Sequence, residues 1–172
     1  MNLYATFWDR IKAFAWDYLV ILIYILIISI LFWFIQVANT WLFANRITSQ
    51  LTIFFSLTLP IIFYFTFAES SIKQASFGKQ KMGLKVSDAN GNQISFFRAL
   101  IRNILKFLSW EISHTLIWQI NFYPNTNPLL INIGFGFVYL LIGLNILCIL
   151  ITKTRQTLYD LIMSTFVIKF QG

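Results

Sequence analysis

Residues 95–123 read SFFRALIRNILKFLSWEISHTLIWQINFY, and whether this stretch crosses a bilayer decides the fold. Arg98, Arg102 and Lys106 recur every four positions, which places them on one side of a helix. Phe97, Leu100, Ile101, Ile104, Leu105 and Leu108 fall opposite, so the first half reads as an amphipathic helix at an anionic cytoplasmic surface. From Phe107 onward the segment is apolar except for Glu111, His114, Gln119 and Asn121. That composition suits the inside of a bundle better than contact with lipid.

The flanking segments arbitrate. Residues 18–37 (YLVILIYILIISILFWFIQV), 51–68 (LTIFFSLTLPIIFYFTFA) and 129–152 (LLINIGFGFVYLLIGLNILCILIT) carry no formal charge. Each is long enough, at about 1.5 Å per residue, to traverse most or all of a hydrocarbon layer of about 30 Å. If the second half of 95–123 also crosses, both chain ends, the 69–106 loop and the tail share one side. Twelve basic residues then lie there and Arg46 alone lies opposite. If it does not cross, Lys153, Arg155 and Lys169 join Arg46 outside, and the balance falls to nine against four. The excess of Lys and Arg on cytoplasmic loops selects four crossings; a tilted or re-entrant helix over 95–123 is the rival.

The expected architecture is an all-α membrane protein, a four-helix transmembrane bundle forming one unit over residues 1–172. Its crossings fall at about 13–38, 51–68, 104–123 and 129–152, with a cytoplasmic loop at 69–103 and a C-terminal segment at 153–172. Both termini are expected in the cytoplasm and the chain in the inner, or plasma, membrane. Trp8 and Trp16 at the entrance of the first crossing, with Trp33 and Trp41 at its exit, fit headgroup depth. The first apolar run is too long for a cleaved signal core and reads as a retained anchor.

Composition agrees. Hydrophobic residues make up 58% of the chain and charged residues 11%, with a mean hydropathy of +0.72. A soluble domain of 172 residues cannot bury that much apolar surface. Its formal charge of +7 therefore speaks to anionic lipid rather than nucleic acid. Cys148 has no partner for a disulfide and reads as a small hydrophobe.

Local features refine the bundle. Pro60 removes a backbone donor from the second crossing and frees the Ser56 carbonyl, which predicts a kink with the Ser56 and Thr58 hydroxyls as nearby donors. Gly136 and Gly143 lie on nearly one face and predict close approach of a neighbouring helix. In the loop, residues 83–86 predict a short strand, Asp88-Ala-Asn-Gly-Asn92 a tight turn, and Ile94 the start of a return strand, making a small β-hairpin.

Three clusters resemble the RDD family of bacterial membrane proteins, named for an arginine and two aspartates. Arg10-x-x-Ala13-x-x-x-Asp17 opens the first crossing. Phe77-Gly-Lys-Gln-Lys-Met-Gly-Leu-Lys-Val86, with Asp88, Gly91, Ile94-Ser-Phe, Arg98-Ala-Leu and Arg102-Asn103, resembles the central signature. Arg155-Gln-Thr-Leu-Tyr-Asp160 and Ser164-Thr165 resemble the closing motif. The resemblance implies that Arg10, Asp17 and Asp160 are the eponymous trio, supported by Arg98, Arg102, Asn103 and Arg155. Two departures stand out: Tyr159 where the family often has histidine, and Ser164 where glycine is common. The resemblance further implies cation or small-solute transport, suggested for some members of the family, for example sodium against protons.

The charged positions have physical readings of their own. Arg10 and Asp17 share a helical face but are too far apart along the axis to pair, so each needs a partner from elsewhere. Arg102, Arg98 or Arg155 would answer Asp17, either as an interhelical clamp or beside a cation path. Thr157-Leu-Tyr-Asp160 fits a capping box. Glu69 reads as a solvated boundary charge. Glu111 and His114, three apart on one face, form a pair able to relay protons or hold a cation, or simply to pack. Lys79, Lys81, Lys85 and Lys106 read as contacts for lipid headgroups.

Catalytic motifs are lacking: no GxSxG, HExxH or GxxxxGK[ST] occurs. One histidine without nearby cysteines lacks the ligands for zinc, and no cofactor is implied. The alternative to transport is a non-transporting accessory or assembly factor that binds anionic lipid and a partner membrane protein, or a second copy of itself. No internal repeat of the kind seen in alternating-access transporters is visible.

Overall fold

The computed structural model describes residues 3–35 and 40–169. The expected end of the first crossing at 36–38 and the last residues of the C-terminal segment lie outside them. Helix α1 (Phe7–Phe34) starts at a capping box in which Thr6 accepts from the Asp9 amide and the Asp9 side chain returns to the Thr6 amide. Its buried positions, Ala13, Asp17 and Ile21, recur every fourth residue and form the stripe that meets the rest of the molecule.

Helix α2 (Arg46–Glu69) is interrupted by a π-helical turn at Phe54–Thr58, just before Pro60. The π-helical turn falls where proline chemistry disturbs the helix, and the freed Ser56 carbonyl accepts from the Tyr24 hydroxyl of α1 at 2.6 Å. Neither expected hydroxyl serves: Ser56 Oγ donates back to Thr52, and Thr58 Oγ1 is buried without a partner among the described residues. A short helix α3 (Phe77–Lys81) and strand β1 (Leu84–Ser87) follow.

Helix α4 (Phe96–Phe122) is uninterrupted over 27 residues, about 40 Å at helical rise. Its basic stripe turns inward at Arg102, with Arg98 and Lys106 half-buried on either side. Arg102 is 1% exposed, whereas Phe97, Ile101, Ile104 and Leu108 face outward. The helix is inverted there relative to a soluble one, with Arg102 paired inside the molecule and large apolar side chains outside.

Helix α5 (Pro128–Ile151) has Asn127 as its N-cap and proline at its first position. The predicted close approach lies one glycine earlier than expected: a Cβ on Gly134 would fall 2.7 Å from Leu116, whereas Gly136 and Gly143 face open space. Helix α6 (Leu158–Ile162) and strand β2 (Phe166–Lys169) end the described chain.

The local hairpin does not form. Strand β1 pairs antiparallel with β2, Leu84 opposite Lys169 and Ser87 opposite Phe166. The predicted turn is present, with Asp88 Oδ1 accepting from Asn90 and Asn92 and Gly91 at φ 82°. Ile94 instead enters the core beneath the ribbon with Ala5, Leu84, Val86, Ala99 and Val167. The N-terminal segment joins the same ribbon through Ala5 N to Val167 O at 2.9 Å and Lys169 N to Leu3 O at 2.8 Å. Both described ends of the chain thus sit together, beside α3, at one end of the helices.

Among the described residues three helices, α1, α2 and α5, are long and apolar enough to cross a membrane. The protein is mostly helical, and its exposed large side chains, among them Ile23, Leu26, Leu130 and Leu150, cover those helices. Water is the wrong solvent for such a surface, and lipid the right one.

Candidate functional site

Where the ribbon meets the helix ends, charged side chains from five elements interlock. Arg102 of α4 is the centre. Its guanidinium meets Asp160 Oδ1 at 2.7 Å and donates to Glu69 Oε2 at 2.7 Å. Tyr159 covers one face, with its ring centroid 5.0 Å from the Arg102 Cζ. Arg102, Glu69 and Asp160 are each 1% exposed or less. A buried guanidinium persists here because its planar fork reaches two carboxylates at once.

Asp160 has two employments. It closes the capping box of α6, with Thr157 N to Oδ2 at 3.4 Å and its own amide to Thr157 Oγ1 at 3.2 Å. It also accepts from Arg10 at 2.8 Å, from Arg102, and from Thr165 Oγ1 at 2.9 Å. Burial alone would raise its pKa, but the Arg102 and Arg10 charges outweigh that and hold the carboxyl well below the usual carboxylate range. Arg10 also donates to the Arg155 carbonyl at 2.8 Å, so Arg155 enters through its backbone.

Glu69 is the acid that sequence reasoning misread. It is fully buried rather than solvated, and binds Lys79 Nζ at 2.7 Å, Arg102, and Asn103 Nδ2 at 3.0 Å. A signal was available, because a carboxylate at the C-terminus of a helix opposes the macrodipole and calls for an outside partner. Lys79 is correspondingly not a headgroup contact: it is 8% exposed and committed to Glu69. Lys106 is half-buried, its ammonium 3.4 Å from the Phe65 ring centroid. Lys81 is exposed beside Phe77, and Lys85 is half-buried in β1.

Asp17 departs from expectation most clearly. It has no arginine. Its carboxylate accepts from Ser76 Oγ at 2.6 Å, from the Gly78 amide at 2.7 Å and from the Tyr64 hydroxyl at 3.1 Å. Backbone and hydroxyl donors at the start of α3 supply what a guanidinium was expected to supply, and the helix end favours the negative charge. The approach is close enough that a Cβ on Gly78 would fall 1.9 Å from the Ala13 carbonyl oxygen. Ala13 and Gly78 are the small residues that let α3 rest on α1.

Of the other candidates, Arg98 donates to the carbonyls of Met163 and Ser164, tying α4 to the turn before β2. Ser164 adopts a left-handed backbone, φ 49°, a conformation in which glycine is unstrained. Glu111 and His114 are not in this cluster. They lie further along α4, where Glu111 Oε2 accepts from Gln50 Nε2 at 3.1 Å and His114 packs edge-on to Trp110. Glu111 Oε1, Gln50 Oε1 and His114 Nδ1 are buried without hydrogen-bond partners among the described residues.

No group of three or more metal-ligating side chains occurs among the described residues. Chemically, the cluster is a lock: each acid already faces internal donors, and its members come from α1, α2, α3, α4 and α6. Neither the curated proteins searched nor the solved structures give a significant match to the chain. The RDD family model, by contrast, matches residues 4–164, and the chain belongs to the RDD family of multi-pass membrane proteins.

Proposed function

We propose that this chain is a non-transporting accessory or assembly protein of the inner, or plasma, membrane, crossing it four times with both termini in the cytoplasm. The observation that carries this reading is the burial of the family's acids. Asp160 is fully buried and Asp17 1% exposed, and each is already occupied by internal donors. A carboxylate that lines an ion path must exchange water or cation for its protein ligands, and these acids are committed to ligands within the fold. In this reading the Arg and Asp residues fix helix ends, the basic face with Lys81 and Lys85 meets anionic lipid, and the open glycine-bearing face of α5 meets a partner membrane protein or a second copy.

Chain direction supports the fourth crossing. The ribbon joins the chain's start to β2, and β1, which precedes α4, belongs to it as well. Helix α4 leaves that end, and α5 returns to it. At the far end, Phe43 lies 6.1 Å from Trp118 of α4. Single cysteines at Leu3 and Lys169 should therefore label with an impermeant maleimide from the same, cytoplasmic side.

Purified protein in proteoliposomes is expected to give no sodium or proton flux above that of empty vesicles. Flux that Asp17→Asn or Asp160→Asn abolishes would overturn the accessory role. A second reading, cation or proton movement, is favoured by one observation: the unpartnered atoms of Gln50, Glu111 and His114 in the middle of the bundle. Flux sensitive to Glu111→Gln in the same vesicles would support it.

A further inference from the structure

Two cavities on one side of the bundle join. The first, about 210 Å3, reaches the ion-paired floor at Arg10, Lys79 and Arg102. The second, about 370 Å3, continues between α4 and α5 past Ser113 and Ile142. Phe14, Lys106, Asn145, Ile146 and Tyr159 line both, so the two form a single groove. Along α4 it runs from Arg102 to Ser113, about 16 Å at helical rise, and along α5 from Ile149 to Ile142, about 10 Å.

The groove is charged at its base and apolar above. Four cations, Arg10, Lys79, Arg102 and Lys106, stand there against three carboxylates, Asp17, Glu69 and Asp160. Among the described residues Lys106 has no carboxylate in ion-pair range. Its ammonium and that of Lys79 crowd the same Phe65 ring, at 3.4 and 5.5 Å from the centroid. Arg10 Nε and Asn145 Oδ1 are buried without hydrogen-bond partners among the described residues. The groove wall above is open, with Phe14 44% and Ile146 39% exposed.

We propose that this groove holds one anionic phospholipid of the inner leaflet, its phosphate between Lys106 and Arg10 and an acyl chain against Phe14, Ile142 and Ile146. Charge complementarity selects an anion, since the unpaired ammonium and the spare guanidinium N–H both await an acceptor. The axial order selects a lipid. A free phosphate would use only the floor, whereas a phospholipid presents a charged group at the boundary and hydrocarbon beyond it, in the groove's own sequence. The proposal rests on the four-crossing reading above and is indifferent to whether the protein moves ions. Failure of that reading shows in the cysteine labelling, and failure of the lipid site shows in the masses below.

The test is native mass spectrometry of the full chain released from nanodiscs of equal parts phosphatidylglycerol and phosphatidylcholine. One phosphatidylglycerol is expected to remain bound in preference to phosphatidylcholine. Lys106→Gln should reduce that preference about fivefold, the worth of one basic group near an anionic headgroup. Ile146→Trp, which fills the groove without altering charge, should remove the adduct. Equal retention of the two lipids overturns the proposal, as does an unchanged preference in Lys106→Gln, or displacement of the adduct by excess inorganic phosphate. If Lys106→Gln does not fold, persistence of the adduct in Ile146→Trp overturns it alone.

Discussion

The two ends of α4 are built on opposite rules. At the ribbon end Arg102 and Asn103 are buried and each meets a partner in Glu69, within a core that also contains Ala5, Val86 and Val167. Further along, Glu111 and His114 keep unpartnered atoms, and the flanking helices α1 and α5 have only 11% of their apolar windows buried. The first region is organised as a small soluble domain is, by buried ion pairs and tight packing, even though Arg10 Nε, Ser87 Oγ and Asn103 Oδ1 there also lack hydrogen-bond partners among the described residues; the second is held by length and hydropathy. Specific interactions should therefore govern stability at one end and barely register at the other.

The largest effect is expected from Arg102→Met, which takes the shared cation from two buried carboxylates and leaves Glu69 with Lys79 and Asp160 with Arg10 as their remaining cations. Breaking one side of a buried ion pair costs about 3–5 kcal/mol, and here one cation serves two acids. Loss of the monodisperse peak in detergent is the expected outcome, and a variant that purifies and melts normally would break the contrast. Gly78→Ala comes next. Its Cβ would overlap the Ala13 carbonyl oxygen, so α3 must lift off α1 and Asp17 must lose its donors. Overpacking of this kind costs about 1–3 kcal/mol, read as a fall in melting temperature and faster proteolysis between Ser71 and Gly83.

Acidification sharpens the same contrast. Because Asp160 has a folded-state pKa well below its unfolded value, its contribution to stability is present above the unfolded pKa, about 4, and is lost as pH falls from there toward the folded value. Between pH 5 and 9 Asp160 should give a flat profile in thermal melts. A loss of stability on moving from pH 7 to pH 5 that Asp160→Asn removes would contradict the pairing. At the lipid end, Tyr24→Phe deprives the Ser56 carbonyl of its donor. Hydrogen bonds between membrane helices average about 0.6 kcal/mol, so only a small drop in melting temperature is expected. A drop as large as that of Gly78→Ala would show that the membrane half is specifically locked after all.

The same division governs what could be read in advance. Uncharged runs announce membrane helices because hydrocarbon admits few alternatives, and α1, α2 and α5 lie close to their expected places. The Asp160 capping box was legible because its donor is three residues away. Partners far along the chain were not. Strand β1 finds β2 across some eighty residues, and nothing local distinguishes that from a hairpin through Ile94. Asp17 is answered by a backbone amide, a donor that every residue but proline carries and no side chain marks. Helix α5 is apolar on every side, so periodicity could not tell that Gly134, and not Gly136 or Gly143, faces a neighbour.

Ser164 gives the smallest predicted effect. It follows α6, its carbonyl accepts from Arg98, and its φ of 49° carries a cost of about 1–2 kcal/mol for a residue with a Cβ. Glycine would relieve that cost but loses more freedom on folding, an opposing effect of about 0.4–1 kcal/mol. Ser164→Gly should therefore raise the melting temperature by a few degrees at most, with Arg98 still bound to the same carbonyls. Ser164→Ala separates backbone strain from the hydroxyl. It keeps the strain and should melt with the parent, whereas a change equal to that of glycine would assign the effect to the lost hydroxyl and leave the left-handed turn without a role in the ribbon end's stability.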